Sequence, residues 1–204
     1  MMTRGFLPLL LFVAASGAAA LSWETEGFRA VTTAGAQALA IERHPRPLPD
    51  VPLVDQEGHA FSLSEYRGRP VLVDFIYTRC PTICSVLGDD FQRVLELSGG
   101  ASRSQIDLLS ISFDPENDER EARKLYGERY GATAPRWRIA APADEADLPA
   151  LLRSFEVVVI PDGMGGFIHN SAVYLVDAKG RLARVLDPDG PPQLAARALR
   201  AAVP

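Results

Sequence analysis

Apolar and polar positions along this chain form patterns that predict short strands and amphipathic helices. Val71–Tyr77 and Ile106–Phe113 are nearly continuous apolar runs, which are typical of central strands covered on both faces. Between them, apolar residues recur at helical spacing from Ile83 to Leu95, and Ser98-Gly99-Gly100 ends the predicted helix. The centre of the chain is therefore predicted to fold as strand, helix and strand.

The same patterns predict elements on both sides of this centre. A hairpin is expected at 52–63, with its turn at Asp55-Gln56-Glu57-Gly58. Further helices are predicted at 118–130, 144–154 and 192–202, and further strands at 137–139, 157–160, 172–177 and 182–186. After an N-terminal hairpin, the main elements follow the order β-α-β-α-β-β-α, which indicates an α/β fold with a central sheet flanked by helices. It matches the thioredoxin-like plan, in which a strand leads into a cysteine-bearing loop and helix.

The first 20 residues have the pattern of a secretory signal peptide. Arg4 precedes the apolar stretch GFLPLLLFVAAS, and Ala18-x-Ala20 precedes Leu21. An uncleaved membrane anchor is the alternative, although the uncharged run from Gly5 to Leu21 is at the short end for a span of about 20 residues and is interrupted by Pro8. Either interpretation predicts a periplasmic or other extracytoplasmic protein, soluble or anchored by its N-terminus. Residues 21–50 are predicted to be a linker, extended near its prolines, and 51–204 the folded domain.

Charge and length narrow the classes of function. The 204 residues include 21 Lys and Arg against 26 Asp and Glu, giving a net charge of -5. The sequence has no basic stripe, so nucleic acid is not expected as a partner. A domain of this length does not need a disulfide in order to fold. A purely stabilising disulfide between the two cysteines is therefore less expected than a role in binding or redox chemistry.

Both cysteines lie in the segment YTRCPTIC, as Cys80 and Cys84. Pro81 is predicted at the first helical position, which makes Cys80 the N-cap, where backbone amides favour a thiolate. Four residues along a helix, Cβ atoms lie about 5–6 Å apart, whereas a disulfide needs about 3.5–4.5 Å. The spacing therefore favours a metal-binding pair or a labile disulfide over a structural one. Buried, inert cysteines remain the alternative.

Three histidines are candidates for a third ligand. His44 lies in the proline-rich extension and His59 at the predicted hairpin turn, so both are expected to be exposed. His169 follows a glycine-rich loop and precedes a predicted strand, from which it can face the cysteine-bearing helix. Two thiolates suit Cu(I), and an added imidazole also suits Cu(II). Met164 is a further soft candidate, and from the residues alone a plain structural role for His169 stays open.

Three segments in this order resemble the Sco/SenC family of copper metallochaperones, over roughly Pro52 to Asp187. The first is the strand from Val71 with the Cys80-Pro81 and Cys84 loop, and the second is the segment SISFDP ending at Pro115. The third is His169 before Tyr174-Leu175-Val176-Asp177. The chain departs from the family at Ile168, where many members have an aspartate, and at Glu119-Arg120, where Thr-Pro is common.

The resemblance implies a thioredoxin-like fold and copper bound by Cys80, Cys84 and His169. It further implies a role in assembling the dinuclear copper centre of cytochrome c oxidase. The expected partner is the copper-bearing oxidase subunit or another copper chaperone. Some members of the family are thought to be thiol reductants, so the alternative is a thiol-disulfide oxidoreductase in which Cys80 attacks and Cys84 resolves. A thiol peroxidase using Thr78 and Arg79 is a third, weaker alternative.

Three aspartates near these motifs are given structural roles first. Asp114 is predicted to form a turn or cap a helix, with a contribution to the site or to docking as the second role. Asp118 is predicted to be a charge at a helix N-terminus. Asp74 interrupts an apolar strand and faces either a polar edge or the thiols. The aromatic residues of these segments are predicted to be core: Phe75, Tyr77, Phe91 and Phe113.

Overall fold

The computed structural model describes residues 6–25, 27, 30–80, 83–98 and 106–186. The chain divides into two units, Met1–His44 and Pro45–Pro204. The first contains helices α1 (Phe6–Glu24) and α2 (Thr33–Arg43). Among the described residues, no helix combines the length and the apolar character needed to cross a membrane.

Helix α2 lies inside the segment predicted to be a linker. Thr32 is its N-cap, and the Thr32 side chain accepts a hydrogen bond from the Gly35 amide at 3.0 Å. The stretch TAGAQALAIER after a threonine cap is itself a helix signal, which the prolines that follow it obscured. The predicted 50/51 boundary stays a prediction, while the second unit begins at Pro45.

The second unit is built from strands and helices that alternate along the chain. Its described strands are β1 (Arg46–Pro47), β2 (Pro52–Val54), β3 (Ala60–Ser62), β4 (Val71–Ile76), β5 (Asp107–Ser112), β6 (Trp137–Pro142), β7 (Val159–Pro161), β8 (Phe167–His169), β9 (Val173–Val176) and β10 (Arg181–Leu186). Its described helices are α3 (Ile83–Ser98), α4 (Arg120–Tyr130) and α5 (Leu148–Phe155), with 3₁₀ turns at Leu63–Tyr66 and Glu145–Asp147.

Eight of these strands form one mixed sheet in the order β1-β10-β9-β4-β5-β6-β2-β3. Strands β4, β5 and β6 are parallel, and β9 joins β4 in the antiparallel direction. Every residue of β4 and β5 is buried, as their apolar sequences predict for strands covered on both faces. The prediction of an α/β fold with a central sheet flanked by helices is confirmed.

Several predicted elements differ in extent from those observed. Strand β6 runs to Pro142 instead of ending at 139, and the predicted 144–154 helix is a 3₁₀ turn followed by α5. The predicted N-terminal hairpin is present as β2 and β3, which extend the sheet beyond β6. The predicted helix at 192–202 lies outside the described residues.

Helices α3 and α4 pack closely where α3 carries a glycine. A Cβ atom on Gly88 would lie 2.9 Å from three ring atoms of Tyr130 on α4. The hydroxyl of Tyr126, also on α4, donates a hydrogen bond to the Cys84 carbonyl at 2.9 Å. These contacts fix the start of α3, and with it one cysteine, against α4.

Candidate metal centre

The parallel pairing of β4 and β5 places two loops side by side. Ile76 pairs with Ser112 at the carboxyl ends of these strands. The loop after β4 leads to Cys80, and the loop after β5 runs from Asp114 to Asp118. The residues of the candidate site therefore lie in loops at the carboxyl ends of β4 and β5.

Cys80 and Cys84, both among the described residues, are thiols and form no disulfide. They are 7% and 0% exposed. The Cys84 amide donates to Cys80 Sγ at 3.4 Å, so a backbone donor in the first turn of α3 faces this sulfur. Pro81, which was predicted to begin the helix, lies outside the described residues.

Burial governs the protonation of the inner cysteine. It raises the pKa of Cys84 above its usual value, and the neighbouring Cys80 and Asp74 raise it further. Since the charged form of a buried thiol is disfavoured, Cys84 is a neutral thiol at neutral pH. It therefore becomes an anionic ligand only when a metal cation takes the place of the proton on sulfur and the proton leaves to water.

His169 precedes β9, as the sequence predicted, but it ends strand β8, which the sequence did not predict. Strands β7 and β8 form a separate two-stranded sheet, in which His169 pairs with Val159. The His169 ring packs against Phe113 with a centroid distance of 5.0 Å. Burial lowers the pKa of His169, so the imidazole is neutral at neutral pH and can act as a ligand.

The structure brings His169 to Cys84. The atoms His169 Nε2 and Cys84 Sγ are 4.0 Å apart. A small ion bonded to sulfur at about 2.3 Å and to nitrogen at about 2.0 Å spans up to about 4.3 Å, so these two atoms fit a shared ion. A thiolate and an imidazole form a donor set that suits copper.

The three predicted ligands do not form a complete metal site as they stand. No group of three or more His, Cys, Asp and Glu side chains in the described part of the chain is arranged to hold a metal ion. Cys80 Sγ accepts a hydrogen bond from the Cys84 amide at 3.4 Å, and a side-chain hydrogen bond with Cys80 raises the pKa of Cys84, so Cys80 lies beside the Cys84–His169 pair. His169 Nδ1 is buried and finds no hydrogen-bond partner among the described residues. The neighbouring residue, Ile168, supplies no carboxylate to Nδ1.

The other soft or nitrogen-bearing candidates are exposed. His44 is exposed, and the side chain of His59 is 75% exposed beside Asp55, as predicted for both histidines. Met164 is 88% exposed and therefore does not fill a gap in the core. The four aromatic residues predicted as core are buried. Two of them, Tyr77 and Phe113, also contact the His169 ring.

The prediction for Asp118 was wrong. Helix α4 begins at Arg120 with Glu119 as its N-cap, and the Asp118 side chain is fully buried. Its carboxylate accepts hydrogen bonds from the Thr78 amide at 3.0 Å, the Thr78 hydroxyl at 2.6 Å and the Ser112 hydroxyl at 2.6 Å. Asp118 thus holds in place the segment from Tyr77 to Cys80, which we call the cysteine loop. The parallel pairing of β4 and β5 is what brings Asp118 to this loop.

Asp114 has the predicted turn and a second contact. Its carbonyl accepts from the Asp118 amide at 2.8 Å, and its carboxylate forms a 3.0 Å ion pair with Arg79. Arg79 also donates to the Gly165 carbonyl at 3.4 Å. Arg79 therefore links the cysteine loop to the Asp114 loop and to the loop before His169. The sequence had suggested Arg79 only as a residue of a thiol peroxidase.

Asp74 lies near the thiols, which decides between its two predicted environments. It is fully buried, and neither carboxylate oxygen has a hydrogen-bond partner among the described residues. Burial raises the pKa of Asp74 to about 7. Its charge in turn raises the pKa values of Cys84 and Tyr126, so the carboxylate acts against ionisation of the inner cysteine.

A mixed sheet, with one free cysteine in the loop after its central strand and a second in the first turn of the helix that follows, defines a thioredoxin-like protein with a candidate metal centre. A profile of the SCO1/SenC family matches residues 47–204. The SCO1 protein homolog of Bacillus subtilis (strain 168) is 30% identical over 135 residues, which cover 64% of this chain and 68% of that protein. The chain belongs to the SCO1/SenC family, and the resemblance seen in the sequence is confirmed.

Solved structures share the fold. Bradyrhizobium japonicum ScoI with copper bound has a TM-score of 0.64 and 26% identity, covering 77% of this chain and 99% of that one. BsSco, a Sco-family member among cytochrome c oxidase assembly proteins, has a TM-score of 0.64 and 24% identity, covering 78% and 95% of the two chains. The thioredoxin-like plan predicted from the sequence is confirmed.

Proposed function

We propose that this protein binds copper through Cys80, Cys84 and His169 outside the cytoplasm. It passes the ion to the copper-bearing subunit of cytochrome c oxidase or to another copper chaperone. The observation that carries the proposal is the 4.0 Å approach of Cys84 Sγ to His169 Nε2 beside Cys80. Membership of the SCO1/SenC family and the copper held by Bradyrhizobium ScoI support it.

Binding is a ligand exchange coupled to proton release. Each thiol loses its proton as its sulfur bonds to the ion, and the neutral imidazole supplies a nitrogen lone pair without proton loss. Because burial raises the pKa of Cys84, acid competes with the ion for this sulfur. An acceptor with thiolate or imidazole groups takes the ion by replacing these ligands one at a time, so Cu(I) moves with no change of oxidation state.

Competition with a Cu(I) chelator tests the proposal. The full chain is expected to take up one Cu(I), and Cys80→Ser, Cys84→Ser and His169→Ala are expected to weaken uptake at least tenfold, or about 1.4 kcal/mol. His59→Ala is the matched control because His59 is exposed. Unchanged uptake in the Cys80→Ser, Cys84→Ser double variant would exclude the proposed site.

Thiol-disulfide exchange is the second candidate function. The hydrogen bond from the Cys84 amide to Cys80 Sγ favours it, because backbone donors at the start of a helix stabilise a thiolate. Cys80 attacks a substrate disulfide, and Cys84 then displaces the product thiol. The Cys80–Cys84 disulfide that remains needs an external dithiol to reduce it. Turnover by metal-free protein that persists in His169→Ala would support this activity, and absence of turnover would remove it.

The N-terminal segment carries the proposal of export. Residues 1–20 have the signal-peptide pattern, and cleavage before Leu21 releases the remainder of the chain. Native mass spectrometry of the exported fraction would report the cleavage point and bound copper together. A full-length protein found in the membrane fraction would favour the anchor instead.

A further inference from the structure

The β7–β8 hairpin, residues 159–169, stands apart from the main sheet. Its two strands pair with each other and, in the part of the chain that is described, with no strand of the eight-stranded sheet. Ile160 and Ile168, which pair across the hairpin, are 54% and 66% exposed. The opposite face carries Phe167, which packs on Tyr77 at 5.3 Å and on Phe113 at 5.5 Å between ring centroids. The hairpin is therefore seated on the body from one face.

The two ends of the hairpin are held differently. At its base, the Asn170 side chain accepts from the Val158 amide at 2.7 Å and donates to the Glu156 carbonyl at 2.9 Å. These bonds lie within the segment that carries the hairpin. At its tip, Arg79 Nη2 donates to the Gly165 carbonyl at 3.4 Å. This polar contact ties the tip to the cysteine loop.

Arg79 is itself anchored to the body of the protein. Its Nη2 atom is 3.0 Å from Asp114 Oδ2. The Asp114 side chain is buried, and its other oxygen accepts from Asn117 at 2.9 Å. Arg79 thus joins a buried carboxylate to the hairpin tip, and its side chain as a whole is 49% exposed.

We propose that Arg79 is a positioning residue that latches the β7–β8 hairpin over the cysteine loop and thereby controls access to Cys80 and Cys84. When the contact to Gly165 opens, the hairpin lifts and carries His169 away from Cys84. This inference rests on the proposed function for its consequence, which is that opening the latch speeds release of the ion to an acceptor. The latch itself is a property of the metal-free protein.

Thiol reactivity of the reduced, metal-free full chain tests the latch directly. In the wild type, the uncharged thiol reagent 4,4′-dithiodipyridine is expected to react slowly because both thiols are covered. Arg79→Ala is expected to react about tenfold faster, the change given by about 1.4 kcal/mol. Asp114→Asn, which keeps the side-chain shape but removes the charge, is expected to change the rate in the same direction by less. Arg79→Lys retains the charge and is expected to lie between Arg79→Ala and the wild type.

Arg93→Ala is the matched control. Arg93 is also a half-exposed arginine in an ion pair, with Glu96 on α3, and it makes no contact with the hairpin among those described. Its thiol rate is expected to equal that of the wild type. Salt gives an independent readout, because the Debye length falls from about 30 Å at 0.01 M to about 3 Å at 1 M. Added salt is expected to accelerate the wild-type reaction and to leave Arg79→Ala unchanged.

The outcomes separate the latch from copper binding. Wild-type rates in both Arg79→Ala and Asp114→Asn, or equal acceleration in Arg93→Ala, overturn the latch. If Arg79→Ala fails to fold, Asp114→Asn and the salt series of the wild type decide the result. Acceleration in a protein that takes up no Cu(I) supports the latch and contradicts the proposed function. Intact Cu(I) uptake without acceleration overturns the latch alone.

Discussion

Asp118 shows how one buried carboxylate can organise a loop. It gathers hydrogen bonds from Thr78 and Ser112, which follow or end two neighbouring strands. Burial raises the pKa of Asp118 despite these bonds. Thr78 lies in the cysteine loop, two residues before Cys80. The position of Cys80 therefore depends on Asp118, a residue remote from it in sequence.

Replacing Asp118 is therefore expected to cost both stability and metal affinity. Asp118→Ala leaves a buried amide and hydroxyl groups without an acceptor, which lowers the free energy of unfolding by about 2–4 kcal/mol. Urea denaturation checks the stability, and chelator competition checks Cu(I) affinity. Glu121→Ala, at an exposed position in the first turn of α4, is the control. Equal stability of the two variants would contradict the assigned role.

Asp74 makes stability depend on pH. Its folded-state pKa of about 7 lies above the ordinary value of 3.8, so between these values the folded protein holds a proton that the unfolded chain releases. This contribution to stability is largest below the unfolded pKa and declines as pH rises toward 7. At about 1.4 kcal/mol per pKa unit, the wild type is expected to lose about 2–3 kcal/mol relative to Asp74→Asn between pH 5 and pH 8. Denaturation of both proteins across this range measures it, and parallel curves would refute it.

At the level of single residues, the sequence predicts the candidate ligands of the site but not the residues that hold the surrounding loops together. Cys80, Cys84 and His169 are rare residue types in informative surroundings, so the sequence predicts them. Arg79 and Asp118 are common types whose roles follow from the pairing of Ile76 with Ser112. That pairing is a long-range contact and has no local signature in the sequence.

Among the elements, α3 is constrained by its packing as much as by its own sequence. In an isolated helix, replacing glycine by alanine stabilises by about 0.5–1 kcal/mol. At Gly88 the added Cβ would meet the Tyr130 ring at 2.9 Å, so α3 and α4 must separate. Since Cys84 lies on α3 and is bonded to Tyr126 on α4, this separation also disturbs the site.

Gly88→Ala is accordingly expected to destabilise the protein by about 1–3 kcal/mol, the usual cost of overpacking. Thermal or urea denaturation measures the change. The same substitution in a Tyr130→Ala background is expected to be neutral or stabilising, because the ring that it meets is gone. An equal loss in both backgrounds would show that the ring is not the cause.

The elements also show where local patterns succeed. The buried runs of β4 and β5 and the periodic positions of α3 predict their own structure, because burial on two faces or on one stripe leaves a direct trace in the sequence. Strand β8 has only three residues, and its outer face is apolar yet exposed. Its pattern therefore could not show that His169 belongs to a separate hairpin.

Across the whole molecule, metal binding is expected to be linked to folding. A ligand that binds only the folded state at 100 times its dissociation constant stabilises it by about 2.7 kcal/mol. Cu(I) is therefore expected to raise the melting temperature of the wild type and to raise that of His169→Ala less. The gain is expected to shrink in acid, since protons compete for the ligand sulfurs. Calorimetry with and without Cu(I) at two pH values checks this, and an equal gain in His169→Ala would argue against the imidazole as a ligand.

The β7–β8 hairpin forms a sheet of its own, apart from the eight-stranded sheet. The stability of the protein and its selectivity for a metal ion therefore depend on different parts of the structure. A hairpin of different length or ligand type can be grafted between Glu156 and Asn170 while β4, β5 and their helices keep their packing. Such chimaeras are expected to fold with near-wild-type cooperativity and to differ in which ion they prefer. The selectivity of this scaffold can therefore change by exchanging one short surface ribbon.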